Sequence, residues 1–248
     1  MVNQFQISKV QNELMNWSFG IGVAMLILGF LDGFFGSGTA FQGELVAGVK
    51  RVGQSSPLSL VEDLTFCVAN LLMWWVLHRC LVRRGHFGMQ LALVTMMVLT
   101  ALGAVIGIIP SGDVLTASGF YRQTTFGAFQ SRFPFFNSFV VYLAGFVLGT
   151  GLIRRYGGYL RLYGWALVVF PLLDSLLQSF YVYLYTSVGG LTLNELNTYH
   201  GLAQLAQLAL AIGSLALLRR SVSVDADERP DDGSDLNQHG AIQYKIKR

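Results

Sequence analysis

The sequence predicts an all-α polytopic membrane helix bundle of six transmembrane helices, with both termini on the cytoplasmic side (N-in/C-in). Three observations carry this reading. Of 248 residues, 53% are apolar and only 12% are charged, about half the charge of an average soluble domain. Six continuously apolar runs each approach the ~20 residues a helix needs to cross the hydrocarbon core. The basic residues divide 13 to 4 between alternate sides of those runs, with only Lys50, Arg51, Arg122 and Arg132 on the poorer side. That asymmetry places the richer side in the cytoplasm. The same composition excludes a soluble globular enzyme, a disordered chain and a nucleic-acid binder. The runs lack the alternation of a membrane β-barrel.

The first span covers about 14–35. Gly38-Thr39-Ala40 behind it satisfies the small-x-small rule of a signal peptidase site. The region before it is poorly basic, with Lys9 set against Glu13, and Asp32 interrupts the run, so an uncleaved span is expected. The second span, about 64–82, lies with Cys67 and Cys80. On one helix these thiols stand ~20 Å apart, beyond disulfide reach.

The third span, about 90–109, stops at Pro110, which cannot continue a helix. The fourth, about 133–153, runs into Arg154-Arg155. The fifth, about 159–185, contains Pro171 and is long enough to tilt or kink. The sixth, about 198–218, ends at Arg219-Arg220. Residues 1–220 therefore form one six-span domain. Residues 221–248 carry six acids between Asp225 and Asp235, and such a polar, acidic stretch predicts a disordered cytoplasmic tail. The longest connections, about 36–63 and 110–132, fall on the outer side.

Polar groups within the spans are the informative ones, because each is costly in lipid unless partnered. Asp174 lies near the middle of the fifth span. Pro171, Asp174, Gln178, Tyr181 and Tyr185 follow helical 3-4 spacing and share one face. Asn197, His200, Gln204, Gln207, Ala211 and Ser214 make a matching stripe on the sixth. Consecutive spans usually pack as neighbours. Asp174 and Gln178 are thus expected to meet Gln204 and Gln207 in an intramembrane polar seam, with Asn70 and Asn137 as possible additions. The seam is either a clasp between helices or a binding site for a proton or cation.

A second constellation maps to the outer end: Asp32, Asp113, Arg122 and His200, with Asp63 and Glu195. It is either a rim of ordinary charges or a site for a divalent cation or polar headgroup. The pairs Gly29/Gly33, Gly103/Gly107 and Gly145/Gly149 are GxxxG motifs, suited to helix packing within the chain or to a homo-oligomer. The paired inner arginines set topology and contact anionic lipid. No lysine lies mid-span for a retinal Schiff base, and His78 and His200 fall at opposite ends, so they cannot share a haem. No phosphate-binding or dinucleotide fingerprint occurs, nor any metal-type cysteine spacing. No cofactor and no metal are expected, and the lipid bilayer is the one partner the composition requires.

Three places carry a family likeness. The third span ends GIIPSGD (Gly107 to Asp113), a paired-arginine loop follows the fourth, and the last opens ELNTYHGLAQL (Glu195 to Leu205). In these the chain resembles the bacterial and archaeal six-span membrane family called domain of unknown function 998. The likeness covers about 200 residues by layout. It departs after the third span, where SGFYRQTTFG lacks the histidine usual there. It implies six spans and no assigned activity. The function expected is that of a non-catalytic binding or accessory protein of the inner membrane. The alternatives are a small secondary transporter coupled through Asp174 and a lipid-modifying enzyme with an outward-facing site.

Overall fold

The computed structural model describes residues 4–31, 57–109, 114–115, 121–187 and 192–224. Six long helices dominate it: α1 (Lys9–Leu31), α2 (Pro57–Arg83), α3 (Phe87–Ile108), α4 (Thr125–Arg155), α5 (Gly158–Ser187) and α6 (Leu193–Arg220). Each contains a stretch long and apolar enough to cross a membrane. Their ends follow local chemistry. Ser8 and Gln11 cap α1 reciprocally: the Gln11 N–H donates to Ser8 Oγ and the Ser8 N–H donates to Gln11 Oε1. Gly85, at φ 69°, turns the chain between α2 and α3 in a conformation that a Cβ would oppose. Thr124 caps α4 by accepting from the Gly127 N–H at 2.9 Å. Gln130 of α4 donates to the carbonyls of Ile106 and Ile109, satisfying the end of α3.

Consecutive helices pack as neighbours, and α6 returns to pack against α1, so the six close into a ring. A short parallel pair locks that closure. Strand β1 (Phe5–Ile7) runs beside β4 (Val222–Val224), with Phe5 opposite Val222 and Ile7 opposite Val224. Arg219 reinforces the join by donating to Asn16 and Asn12 of α1 at 2.6 and 2.7 Å. The sequence predicts a disordered tail from residue 221. The structure corrects that start: Ser221 is buried and Val222–Val224 are paired in β4. Ladder bonds to β1 and burial of Val222 outweigh the polar character that follows; residues 225–248 lie outside the described residues. A second pair, β2 (Val114–Leu115) and β3 (Tyr121–Arg122), is antiparallel and joins two short stretches of the connection between α3 and α4.

Burial is concentrated at the β1–β4 end. Met15 of α1, Leu77 and Leu81 of α2, Leu93 of α3, Leu148 and Leu152 of α4, Leu160 and Tyr163 of α5 and Leu218 of α6 are all essentially inaccessible there. Burying such side chains is worth about 1.5–3 kcal/mol each in water. Within a bilayer, tight packing and hydrogen bonds replace that drive. Toward the opposite end burial falls away, and from Pro171 onward α5 has no buried residue among those described. Among the described residues, packing seals the β1–β4 end of the ring. Its outer wall exposes large apolar groups such as Trp17, Val98, Phe135 and Leu176, which suits contact with lipid tails.

Candidate functional site

The polar stripe of α5 lies toward the end away from the β1–β4 pair and lines a cavity with α1 and α6. Pro171 lies inside α5 and lacks the N–H that would bond the Leu167 carbonyl. One turn later, Asp174 is half-buried, and its Oδ2 accepts from Gln178 Nε2 at 3.2 Å, a bond within one helix face. These residues line a cavity of about 600 Å³ between α1, α5 and α6. Leu26, Leu167, Phe170 and Leu208 make its walls apolar, and Asp174, Gln178, Gln207 and Ser214 supply its polar groups. By helix rise Asp174 stands ~24 Å from the start of α5 at the sealed end, near the helix midpoint.

The structure brings together three of the four expected seam residues, Asp174, Gln178 and Gln207, around one cavity. Gln204 goes elsewhere. Its Nε2 lies 2.9 Å from His200 Nε2, one turn away on α6, and the His200 ring packs 4.8 Å from Tyr181 of α5. Local i,i+4 pairing on each helix therefore divides the stripe into two groups, a choice that face periodicity leaves open. Asn137 also turns away. It meets α3 at Gly103, where an added Cβ would sit 3.0 Å from the Asn137 amide nitrogen.

The set expected to face outward is seen only in part. Asp32 and Asp113 lie outside the described residues; Arg122 belongs to β3 opposite Val114, and its side chain also lies outside them. His200 is held by Tyr181 and Gln204. Glu195 is engaged at the start of α6, where its carboxylate accepts from the Thr192 N–H and hydroxyl, both at 2.8 Å. Those two bonds hold its pKa below the usual carboxylate value. Among the described residues no three His, Cys, Asp or Glu side chains gather closely enough to hold a metal ion.

The glycine pairs separate by environment. At Gly149 an added Cβ would lie 2.7 Å from the Gly164 carbonyl of α5, and at Gly164 the same distance from the Gly149 carbonyl. Gly145 and Gly149 thus serve close packing of α4 on α5. Gly29 and Gly107 meet nothing within 4 Å. Gly33 lies outside the described residues.

Two features have no expectation in the sequence. Trp74 and Tyr163 form a buried hydrogen bond across the ring; each reads alone as an apolar core residue. A cavity of about 340 Å³ also opens between the start of α3 and the end of α4, lined by Arg154 and Arg155. The arginine pair was legible as a topology signal, but the cavity beside it arises from packing of nonadjacent segments. No protein-family model matches the chain, and no curated protein and no solved structure matches it.

Proposed function

We propose that this chain is a non-catalytic integral protein of the cell membrane that binds an amphipathic ligand with a cationic, hydrogen-bond-donating head. The observation that carries the reading is the cavity between α1, α5 and α6, whose apolar wall carries one carboxylate, Asp174. A mainly apolar pocket with a few convergent polar groups is the usual form of a small-molecule site. The Asp174 carboxylate attracts a positively charged head group, Gln207 and Ser214 offer further acceptors, and Leu26, Phe170 and Leu208 receive the apolar body. An N-in/C-in orientation fits the arginines at the β1–β4 end of α2, α4 and α6. The ligand then enters from the outer side or from the bilayer.

A second reading, a carrier coupled through Asp174, is favoured by Pro171 beside it, because the missing proline N–H leaves the Leu167 carbonyl without that helical donor and able to face a cation. The sealed end weighs against it. Met15, Leu77, Leu93, Leu152 and Leu218 are fully buried and pack that end.

Saturable binding of radiolabelled dodecylamine to the full chain in zwitterionic nanodiscs tests the first reading, with dodecanol as the uncharged competitor. The expected result is affinity at least about tenfold weaker in Asp174→Asn, with dodecanol a poor competitor. Equal binding by both proteins overturns it. Proton or solute flux that requires Asp174 in proteoliposomes would select the carrier instead.

A further inference from the structure

Arg154 and Arg155 close the last turn of α4 at the sealed end of the bundle. Both line the smaller cavity, whose other wall is the turn and first residues of α3: Gly85, His86, Phe87, Gly88 and Met89. Among the described residues neither arginine is paired with a carboxylate. Guanidinium groups stay charged under all ordinary conditions, so this cavity holds two permanent positive charges with no carboxylate among the described residues to balance them.

The donors around them converge. Arg155 NH1 lies 2.7 Å from His86 Nδ1. Because a guanidinium nitrogen can only donate, His86 Nδ1 accepts and the ring proton sits on Nε2. The ring is steadied by the edge of Tyr156, with centroids 5.9 Å apart. Burial, Arg155 and Arg84 all lower the His86 pKa, which favours this neutral tautomer. His86 is also the N-cap residue of α3 and makes no side-chain capping bond. The Phe87 N–H is taken by the Gly85 carbonyl at 3.2 Å, and the N–H groups after it have no side-chain cap from His86.

The apolar surroundings distinguish a lipid from a soluble anion. Phe87 is 74% exposed at one lip and Val147 52% exposed at the other. Leu91, Val94 and Val98 of α3 and Leu143 of α4 continue exposed apolar surface along the same two helices, away from the arginines. We propose that the cavity between α3 and α4 binds the phosphate headgroup of an anionic lipid, with Arg154 and Arg155 on the phosphate and an acyl chain along exposed α3 and α4. Phosphate suits the paired guanidinium donors in charge and geometry, and the cavity sits where span ends meet the headgroup layer. The proposal is independent of the ligand assigned to the Asp174 cavity, which is lined by other helices.

Native mass spectrometry of the detergent-purified full chain, offered phosphatidic acid and phosphatidylcholine of matched chains, tests it. Phosphatidic acid should be retained in preference, and Arg154→Gln/Arg155→Gln should lower that retention about tenfold. Arg154→Gln alone, which spares the Arg155–His86 contact, should lower it about threefold. Arg161→Gln is the control: the arginine is exposed near the start of α5 and lies outside the cavity. Equal loss in Arg161→Gln would reduce the effect to diffuse surface charge and overturn the site. Inorganic phosphate binding wild type as tightly as the lipid would overturn the lipid assignment. Unchanged retention in a folded Arg154→Gln protein would overturn the role of that arginine.

Discussion

Trp74 donates its indole N–H to the hydroxyl of Tyr163 at 3.2 Å, joining α2 to α5 across the interior of the ring. Both side chains are buried, Tyr163 almost completely. Helices that are not sequence neighbours are thereby tied at a point where water cannot substitute for either partner. Removing one partner strands the other, which costs about 1–3 kcal/mol. Trp74→Phe and Tyr163→Phe should each lower thermal stability in detergent. The double variant should lose less than the sum of the two, because the second change removes a group already without its partner. Strict additivity in that cycle would show that the bond contributes nothing.

The contact of Gly149 with Gly164 makes a different kind of demand. Each added Cβ would meet the other helix's backbone carbonyl at 2.7 Å, and a carbonyl cannot swing aside as a flexible side chain does. Gly149→Ala and Gly164→Ala should therefore each destabilise by about 1–3 kcal/mol through forced separation of α4 and α5. Gly107→Ala, with nothing within 4 Å, should leave the melting temperature of the monomer unchanged. If Gly107→Leu shifts a larger species to monomer in light scattering, that glycine face joins copies of the chain.

The β1–β4 clasp depends on Phe5, which is 2% exposed and packs edge-on to Tyr156 with centroids 5.0 Å apart. Phe5→Ala should cost about 3 kcal/mol. Its expected signature is local: faster hydrogen exchange at Val222–Val224 and proteolysis near residue 221, with the helices still protected. Unchanged exchange in β4 would mean that the strands do not depend on this anchor.

His86 sets a pH dependence. Its pKa in the fold lies below the ordinary 6.5, chiefly through burial and then through Arg155 and Arg84. The unfolded chain then binds the proton more readily than the folded one. Stability should fall as pH drops through 6.5 and level off once the pH passes below the folded value. Melting curves between about pH 7 and 5 should show this loss, and His86→Gln should reduce it. A wild-type slope identical to that of His86→Gln would remove His86 as its source.

Most helix ends fall within a few residues of the ends of the apolar runs, because hydrophobic run length is a local property. Terminators such as Pro110 and the arginine pairs are also local. The fourth helix extends further than its apolar run, beginning at Thr125 rather than near 133. There Gln130 pays back the polar stretch by capping α3, a contact that lies outside its own helix. The stripes on α5 and α6 were legible as faces, yet their partners were not. Asp174 with Gln178 and His200 with Gln204 satisfy one another within single helices, and periodicity cannot distinguish such a bond from one across the interface.

By itself the sequence determined that the chain is built from six apolar helices, because a continuous run of such residues leaves backbone polar groups only one internal solution in lipid. It also singled out Asp174, since an acid in that setting is costly wherever it points. Only the tertiary structure decided that α6 closes on α1, that packing seals one end of the ring, and that Asp174 and Gln207 share a cavity while Gln204 turns to His200. The reason is physical. Helix formation is decided by hydrogen bonds four residues apart, whereas closure and cavity shape depend on side-chain volumes meeting from distant parts of the chain, such as Phe5 on Tyr156 and Gly149 on Gly164.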